Sequence, residues 1–503
     1  MDTSTPAGGT TSYITGLGLP IDTSQIQLTV GGQNATIVSA VAAPYQSISF
    51  PYAYPYPAVE LQVTLPPGTG DQDVVLTTSA GSSTSPKAIH YVQSVTDYPS
   101  PNGGFQSILL DRTRNQLYLS AGSEIDVFSL TSFQFLAPFS PPSLNGTANF
   151  HGLALTTDGS LLLAADFADG SVALINPDQP SSATAVEVIP PGNAFGVSAD
   201  NIVATNNELA FVEGLTTESE GCGGPLYQLN VSSLQVTTVN SIPYFCIQPE
   251  GFPMAASLDG SKVLVSTTDI SGPQETAIYD VASNTWSENS GTDNFGGNAA
   301  ISANGTVFVG GSTLFDANAN LLGLLAWQDV FQSPGPSPSL NLEAVPDGGS
   351  LVYIPYANYT RFNVTYPGVV DIFDIHHGAH LRRINLSEQV QSVTNAMAID
   401  TYGQKLYLIT NAGLTIVQLA SAPLAIGSLA PTSVSAGTTV TVSGTGFQAG
   451  TSIGVNGTSA SSTFVNANTL QLVVPALNAG PAQVTVTNPS GETYALDNAL
   501  TVQ

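Results

Sequence analysis

Between residues 100 and 420 one short pattern keeps returning: an aromatic beside glycine or asparagine, followed at once by an apolar run. It stands as Gly104-Phe105, Asn149-Phe150-His151-Gly152, Ala194-Phe195-Gly196, Gly251-Phe252 and Asn294-Phe295-Gly296. Successive phenylalanines lie 45, 45, 57 and 43 residues apart. The phase continues at Leu340, which opens Leu340–Val345, and after a longer unit at Thr394-Asn395-Ala396-Met397, making seven units. A period of this length marks a repeated supersecondary unit that cannot bury its apolar faces alone. Units of about 45 residues with four short strands pack radially, each sheet burying both faces against its neighbours.

Within most units the marker leads into a strand, a turn and a second strand, as in Leu153–Leu163, Met254–Val265, Ala300–Val309 and Val345–Tyr353. The turns contain Asp158-Gly159, Asp259-Gly260, Asn304-Gly305 and Asp347-Gly348, pairs that supply the positive φ angles of a two-residue hairpin. A third strand then ends in an aspartate-containing turn, as around Asp280, Asp374 and Asp126. Short runs rich in Val, Ile, Leu, Thr and Tyr are separated by Gly, Pro, Asn, Asp and Ser throughout, and no helical period is sustained for three turns. The chain reads as all-β.

These units resemble the bacterial surface-protein propellers with YVTN-type repeats. Tyr279–Trp286 and Gly310-Gly311 are similar to parts of kelch blades, but that pattern is not repeated elsewhere. The two ends resemble each other and a second family. Pro431–Phe447 near the C-terminus aligns with Pro6–Leu19 near the N-terminus, with Gly437, Gly444 and Gly446 over Gly9, Gly16 and Gly18 at a constant offset of 428. The Pro-Thr-Ser…Gly…Gly-x-Gly-Phe pattern, followed by Val-Pro and a Val-Thr-Val strand, resembles the IPT/TIG immunoglobulin-like domain. The resemblance covers nearly all of 425–503 and is looser in 1–95. The expected architecture is therefore a seven-bladed β-propeller over 96–421, flanked by immunoglobulin-like β-sandwiches over 1–95 and 422–503.

The two end copies differ informatively. Leu61–Pro66 aligns with Leu470–Pro475 at an offset of 409, so 428 − 409 = 19 extra residues fall between Gly18 and Leu61. They include Pro44–Pro57, in which Tyr45, Phe50, Tyr52, Tyr54 and Tyr56 are stiffened by four prolines. Rigid aromatic faces stack on sugars or fix an interdomain angle at little entropic cost, so this loop is a candidate binding surface or interface. Conversely the C-terminal copy has a strand, Leu424–Leu429, whose place in the N-terminal copy falls before Met1. Either that strand precedes residue 1 in a longer chain, or another copy or module supplies it by strand addition.

Composition narrows the function classes. The chain has 8 Lys+Arg against 36 Asp+Glu, a formal charge of −28, and only 9% charged residues. Eight scattered cations cannot neutralise a run of phosphates, which excludes nucleic acid and anionic membrane as partners. No window approaches 18 consecutive apolar residues, so no direct membrane insertion is expected, and Met1–Pro6 lacks the basic and apolar regions of a signal peptide. The export signal was removed, or the chain is cut from something longer. Cys222 and Cys246, 24 positions apart, read as one disulfide in an oxidising compartment. Closing that loop stabilises the fold by roughly 3 kcal/mol in the chain-entropy account.

His151 opens the innermost strand of its unit, at the channel mouth where propellers bind ligands. With Asn149, Asn395 and the marker aromatics Phe105, Phe150, Phe195, Phe252 and Phe295 it forms the candidate channel site. Asp371, Asp374, His376, His377 and His380 have metal-ligand chemistry, but side chains diverge in a hairpin turn, so neither metal nor cofactor is expected. No Gly-x-Ser-x-Gly elbow, phosphate loop or repeated Asp-box occurs. Eight N-x-S/T sites, at Asn34, Asn145, Asn230, Asn304, Asn358, Asn363, Asn385 and Asn456, permit glycosylation; composition alone yields about six, so they do not demand it.

From these resemblances the expected role is a non-enzymatic extracellular or cell-surface protein for structure or adhesion. Its partners would be other copies of itself or neighbouring surface proteins, with glycans as a further ligand class. The competing expectation is a secreted propeller enzyme, a glycan hydrolase or lyase, working at the channel mouth.

Overall fold

A computed structural model describes residues 2–42, 58–189, 198–215, 226–239, 253–266, 274–292, 299–302, 305–310, 313–325, 350–356, 359–361, 364–366, 368–393 and 395–503. The chain is all-β; apart from two single 3-10 turns, every regular element among the described residues is a strand.

Among the described residues, seven sheets of three or four strands follow one another between residues 94 and 418, besides the short pair Tyr359–Arg361 and Val364–Tyr366. The first runs Ser107–Asp111, Gln116–Ala121, Glu124–Ser129 and Gln134–Phe135, and the second Phe150–Leu155, Leu162–Asp166, Ser171–Ile175 and Thr184–Glu187. The third, fourth and fifth repeat this antiparallel order, starting at Ser198, Met254 and Ala299. The sixth contains Leu351–Tyr356, Gly368–Asp374 and His380–Leu386. The last joins Met397–Ile399, Lys405–Thr410 and Gly413–Gln418 to Ser94–Tyr98, so its outer strand comes from the start of the region and its inner strands from the end. That pairing closes the β-propeller.

The strand pattern explains the ring. In Leu162–Asp166 every residue is buried. Successive side chains point to opposite faces of a strand, so Leu162 and Ala164 pack against Tyr118 and Ile125 of the first sheet, whereas Leu163 and Ala165 pack against Ile202 and Val212 of the third. Comparable clusters join the third sheet to the fourth, the fourth to the fifth, the fifth to the sixth and the sixth to the seventh. The circle is completed by Phe105, Ile108 and Leu117 of the first sheet packing on Ala398 and Tyr407 of the seventh.

The turns correct one expectation. Leu155 pairs with Leu162, and Thr156 N donates to Leu161 O, so Asp158-Gly159 sits inside a longer loop. Only the glycine has positive φ, +69° at Gly159 and +66° at Gly260. Asp158 works through its carboxylate, accepting from Thr156 Oγ1 and from Ser160 N and Oγ; Asp259 does the same with Ser257 and Ser261. These bonds hold both carboxyls below the usual range. A second correction concerns Asp126, which lies within the strand Glu124–Ser129, pairs with Leu119 and is buried.

The end domains are β-sandwiches. In the N-terminal one, Thr11–Leu17, Ala58–Thr64 and Thr36–Ala42 form one sheet, and Asp2–Ser4, Gly81–Tyr91, Gly70–Thr78, Gln27–Val30 and Gln33–Asn34 the other. Leu28, Leu61, Val63 and Tyr91 fill the space between them. In the C-terminal one, Ala425–Ala430 flanks Thr439–Thr445, and the core is continuous with the apolar cluster of the sixth and seventh propeller sheets.

Candidate binding surfaces

His151 lies on the innermost strand of the second sheet, beside Asp200 on the innermost strand of the third. Their Nδ1 and Oδ1 atoms are 2.5 Å apart. The Asn149 side-chain amide lies 3.0 Å from His151 Nε2. An amide N–H can only donate, so Nε2 is the acceptor and Nδ1 carries the proton shared with Asp200. The ring stacks on Phe167 at 4.3 Å, nearly parallel, and the His151 carbonyl accepts from Ser120 Oγ at 2.6 Å. Asn149 is itself fixed, because its N–H donates to Asp166 Oδ1 and its carbonyl accepts from Phe167 N. His151 therefore borders the channel with both ring nitrogens engaged.

Two carboxylates back this rim. Asp166 and Asp126 are almost fully buried, and each keeps one oxygen without a partner among the described residues. Burial pushes both carboxyls up, and Glu124 adds to the effect at Asp126 against the opposing bond from Asn102. Nothing in the sequence distinguished these two from the other acids, because their burial depends on neighbouring sheets.

Other candidates fall elsewhere. Phe105 and Phe150 are 3% and 0% exposed and belong to the packing between sheets, so neither ring is open to a ligand at the channel mouth. These two rings are wedges between blades. Asn395 stitches the ring shut: its amide donates to Ile108 O, its carbonyl accepts from Ile108 N, and it bridges Ser107 in parallel. Phe195, Phe252 and Phe295, the loop aromatics Tyr45, Phe50, Tyr52, Tyr54 and Tyr56, and Cys222 and Cys246 lie outside the described residues, as do Asn304, Asn358 and Asn363. Of the other sequon asparagines, Asn34, Asn145 and Asn456 are exposed, and Asn230 and Asn385 are half-buried. Asn230 Oδ1 is occupied by Ser233 N and Oγ.

The histidines between 371 and 380 turn to three different partners. His380 Nε2 and both prongs of Arg383 meet Asp371, whose carboxyl they hold below its usual range against the cost of burial. His377 pairs with Asp374, which also accepts from the Tyr494 hydroxyl at 2.9 Å. His376 Nε2 reaches the Gly427 carbonyl at 2.7 Å. Tyr494 and Gly427 belong to the C-terminal sandwich, so this turn is an interdomain clamp.

Arg382 is buried next to this turn, on the same strand as His380. It is 4% exposed, and one terminal nitrogen donates to Ser421 O at 2.7 Å. Burial pushes its guanidinium down, while Asp71 of the N-terminal sandwich and Glu492 of the C-terminal one pull it up. Asp71 in turn bonds buried His90 at 2.6 Å. A lone Arg-Arg pair in a base-poor chain was the available signal, but its partners are scattered over more than 400 positions.

The two sandwiches differ at one edge. Thr439–Thr445 lies between Ala425–Ala430 on one side and Thr469–Val473 on the other. Its counterpart Thr11–Leu17 pairs with Ala58–Thr64, and among the described residues no strand lies on its other side.

Residues 2–91 and 424–502 match the IPT/TIG domain. No curated protein matches the chain. The β-propeller domain of Cps50 (Swd1) from Myceliophteria thermophila is similar over 65% of this chain and 100% of its own, at 12% identity and a TM-score of 0.48. A chain of the mitotic checkpoint complex is similar over 65% of this chain and 91% of its own, at 11% identity and a TM-score of 0.47. An IPT/TIG domain thus stands at each end of the β-propeller.

Proposed function

We propose that this is a non-enzymatic extracellular surface protein of the bacterial YVTN-like kind, whose closed ring of seven blades is the recognition body. The IPT/TIG sandwiches hold and display that body, and copies or neighbouring surface proteins associate head-to-tail by strand addition at the N-terminal sandwich. The observation that carries this reading is the IPT/TIG match at both ends of the ring, over residues 2–91 and 424–502. The clamp around Asp374 and Arg382 supports it, because sandwiches bonded to the ring transmit load. Glycans are the further ligand class at the channel rim, and the exposed sequons permit glycosylation.

Electron microscopy and light scattering of the purified chain test the proposal. Linear assemblies that grow with concentration are expected, and a strictly monomeric chain at every concentration overturns the assembly. Turnover of a polysaccharide panel, abolished by Asp166→Asn or Asp126→Asn, would establish the rival enzymatic reading instead.

A further inference from the structure

We infer that Asn145 is a site of covalent modification: the backbone nitrogen of Gly146 displaces the side-chain nitrogen of Asn145, and water then leaves aspartate and isoaspartate on the connection that leads into the channel rim.

An asparagine followed by glycine can close on itself, because glycine has no Cβ to shield its backbone nitrogen and few conformational limits. Four such steps occur, at Asn102-Gly103, Asn145-Gly146, Asn304-Gly305 and Asn456-Gly457. Asn304 lies outside the described residues. The other three asparagines are all exposed, yet the fold treats them differently.

Asn102 is tied by its amide. The nitrogen donates to Glu124 Oε2 at 2.8 Å and to Asp126 Oδ1 at 2.6 Å. Bonds to charged acceptors are the stronger kind, and while they hold, the side-chain carbon cannot turn toward Gly103 N. Asn456 is tied by its backbone. It forms the tight turn across which Val455 and Thr458 pair, with φ of +47° at Asn456 and +76° at Gly457. Its Oδ1 accepts from Gln483 N at 2.8 Å, and its own N–H donates to Gln483 O at 2.9 Å.

Asn145 is held on one side only. Its N–H donates to Asp169 Oδ2 at 3.2 Å, the oxygen that also accepts from Ser143 Oγ and Leu144 N. Its side chain makes no hydrogen bond among the described residues. The next fixed point is Asn149, whose N–H donates to Asp166 Oδ1 at 2.9 Å. Between these two pins, the N–H groups of Gly146, Thr147 and Ala148 are unbonded among the described residues, and Gly146 and Thr147 are exposed. The slack of the connection therefore falls on the Asn-Gly step, with water at hand.

The step needs only water. Gly146 N loses its proton to solvent base and bonds to Asn145 Cγ; the bond from Cγ to Nδ2 breaks, and that nitrogen leaves as ammonia after taking up a proton. Water opens the cyclic imide at Cγ to give aspartate, or at the backbone carbonyl carbon to give isoaspartate. Either product places a carboxylate on the residue whose N–H meets Asp169, and isoaspartate also lengthens the main chain ahead of Asn149 and His151. The sequon Asn145-Gly146-Thr147 loses its acceptor amide in the same event.

The test incubates the full chain at pH 8.5 and at pH 5, folded and in strong denaturant, and follows each asparagine by peptide mapping and an isoaspartate-specific methyl-transfer assay. In the folded chain at pH 8.5, conversion at Asn145 is expected to run roughly tenfold or more ahead of Asn102 and Asn456, whose bonds must first break. It should slow at pH 5, where solvent base is scarce. In denaturant the three steps should convert at comparable rates, because only the fold separates them. The inference is overturned if Asn145 survives folded over the time in which the denatured chain converts, if the three steps convert together in the folded chain, or if Asn145 keeps its lead in denaturant.

Discussion

The Tyr494 hydroxyl of the C-terminal sandwich donates to Asp374 Oδ1, 120 residues earlier in the chain, at 2.9 Å. Tyr494 is 9% exposed and Asp374 1%. Burial and the Asp374 charge push the phenol far up, so it remains a donor at every pH the protein survives.

Tyr494→Phe keeps the ring and removes the donor. A buried acceptor that loses a hydrogen bond costs about 1–3 kcal/mol. A lower denaturation midpoint is expected; an unchanged midpoint would show the bond to be incidental.

Arg382→Ala removes the cation between Asp71 and Glu492 as well as the stem that packs there. The Ser421 carbonyl loses its donor, which costs about 1–3 kcal/mol, so a lower denaturation midpoint is expected. Arg382→Met, which restores the stem, should recover part of the loss. Calorimetry reads both.

His90 supplies a pH dependence of known sign. Burial pushes its pKa below 6.5, although Asp71 pulls it up. As pH falls through 6.5 the unfolded chain gains a proton that the folded chain refuses, so stability drops until the folded pKa is reached. Asp71, held low by His90, adds a loss only below 3.8. Denaturation midpoints at pH 7 and 5 should therefore differ, and His90→Gln should shrink the difference.

Asp166 acts in the opposite direction. Its folded pKa is raised above 3.8, so its contribution is fully present below 3.8 and is lost as pH rises through the folded value. Asp166→Asn keeps an oxygen for Asn149 N and Ala168 N without the buried charge. It should be at least as stable as the parent at pH 7 and should lose this advantage at pH 3, as denaturant titrations at the two pH values would show.

The paired glycines differ in sensitivity. At Gly444 a methyl group meets the Ala425 carbonyl, which is backbone and cannot swing away, whereas at Gly16 it meets the end of the Leu19 side chain. Gly444→Ala should displace Ala425–Ala430 and cost several times more than Gly16→Ala in denaturation midpoint. Equal effects would mean that Gly16 is confined by something besides Leu19.

Much of the architecture was legible because it is local. The 45-residue phase of Phe105 and Phe150, the Asp-Gly turns and the apolar strands all express a strand period of two and a turn chemistry that neighbouring residues decide. The shared glycines at offset 428 carried the likeness of the two ends in the same way. Phe105 and Phe150 face the packing between sheets rather than the channel mouth, since the sequence shows that a phenylalanine recurs but not which face of a sheet it occupies. His151 was singled out as a rim residue, yet the Asp200 and Asn149 contacts that engage its ring nitrogens arise only once two blades meet.

By itself, the sequence determined the strand content, the repeat and the paired end domains, because each rests on contacts between residues close in the chain. Only the tertiary structure decided that the histidines near 376 join domains, that Arg382 is buried, and that Asp126 and Asp166 are buried with one oxygen each unpartnered among the described residues. Burial, desolvation and edge exposure are properties of what packs alongside, and in this fold the neighbours come from hundreds of residues away.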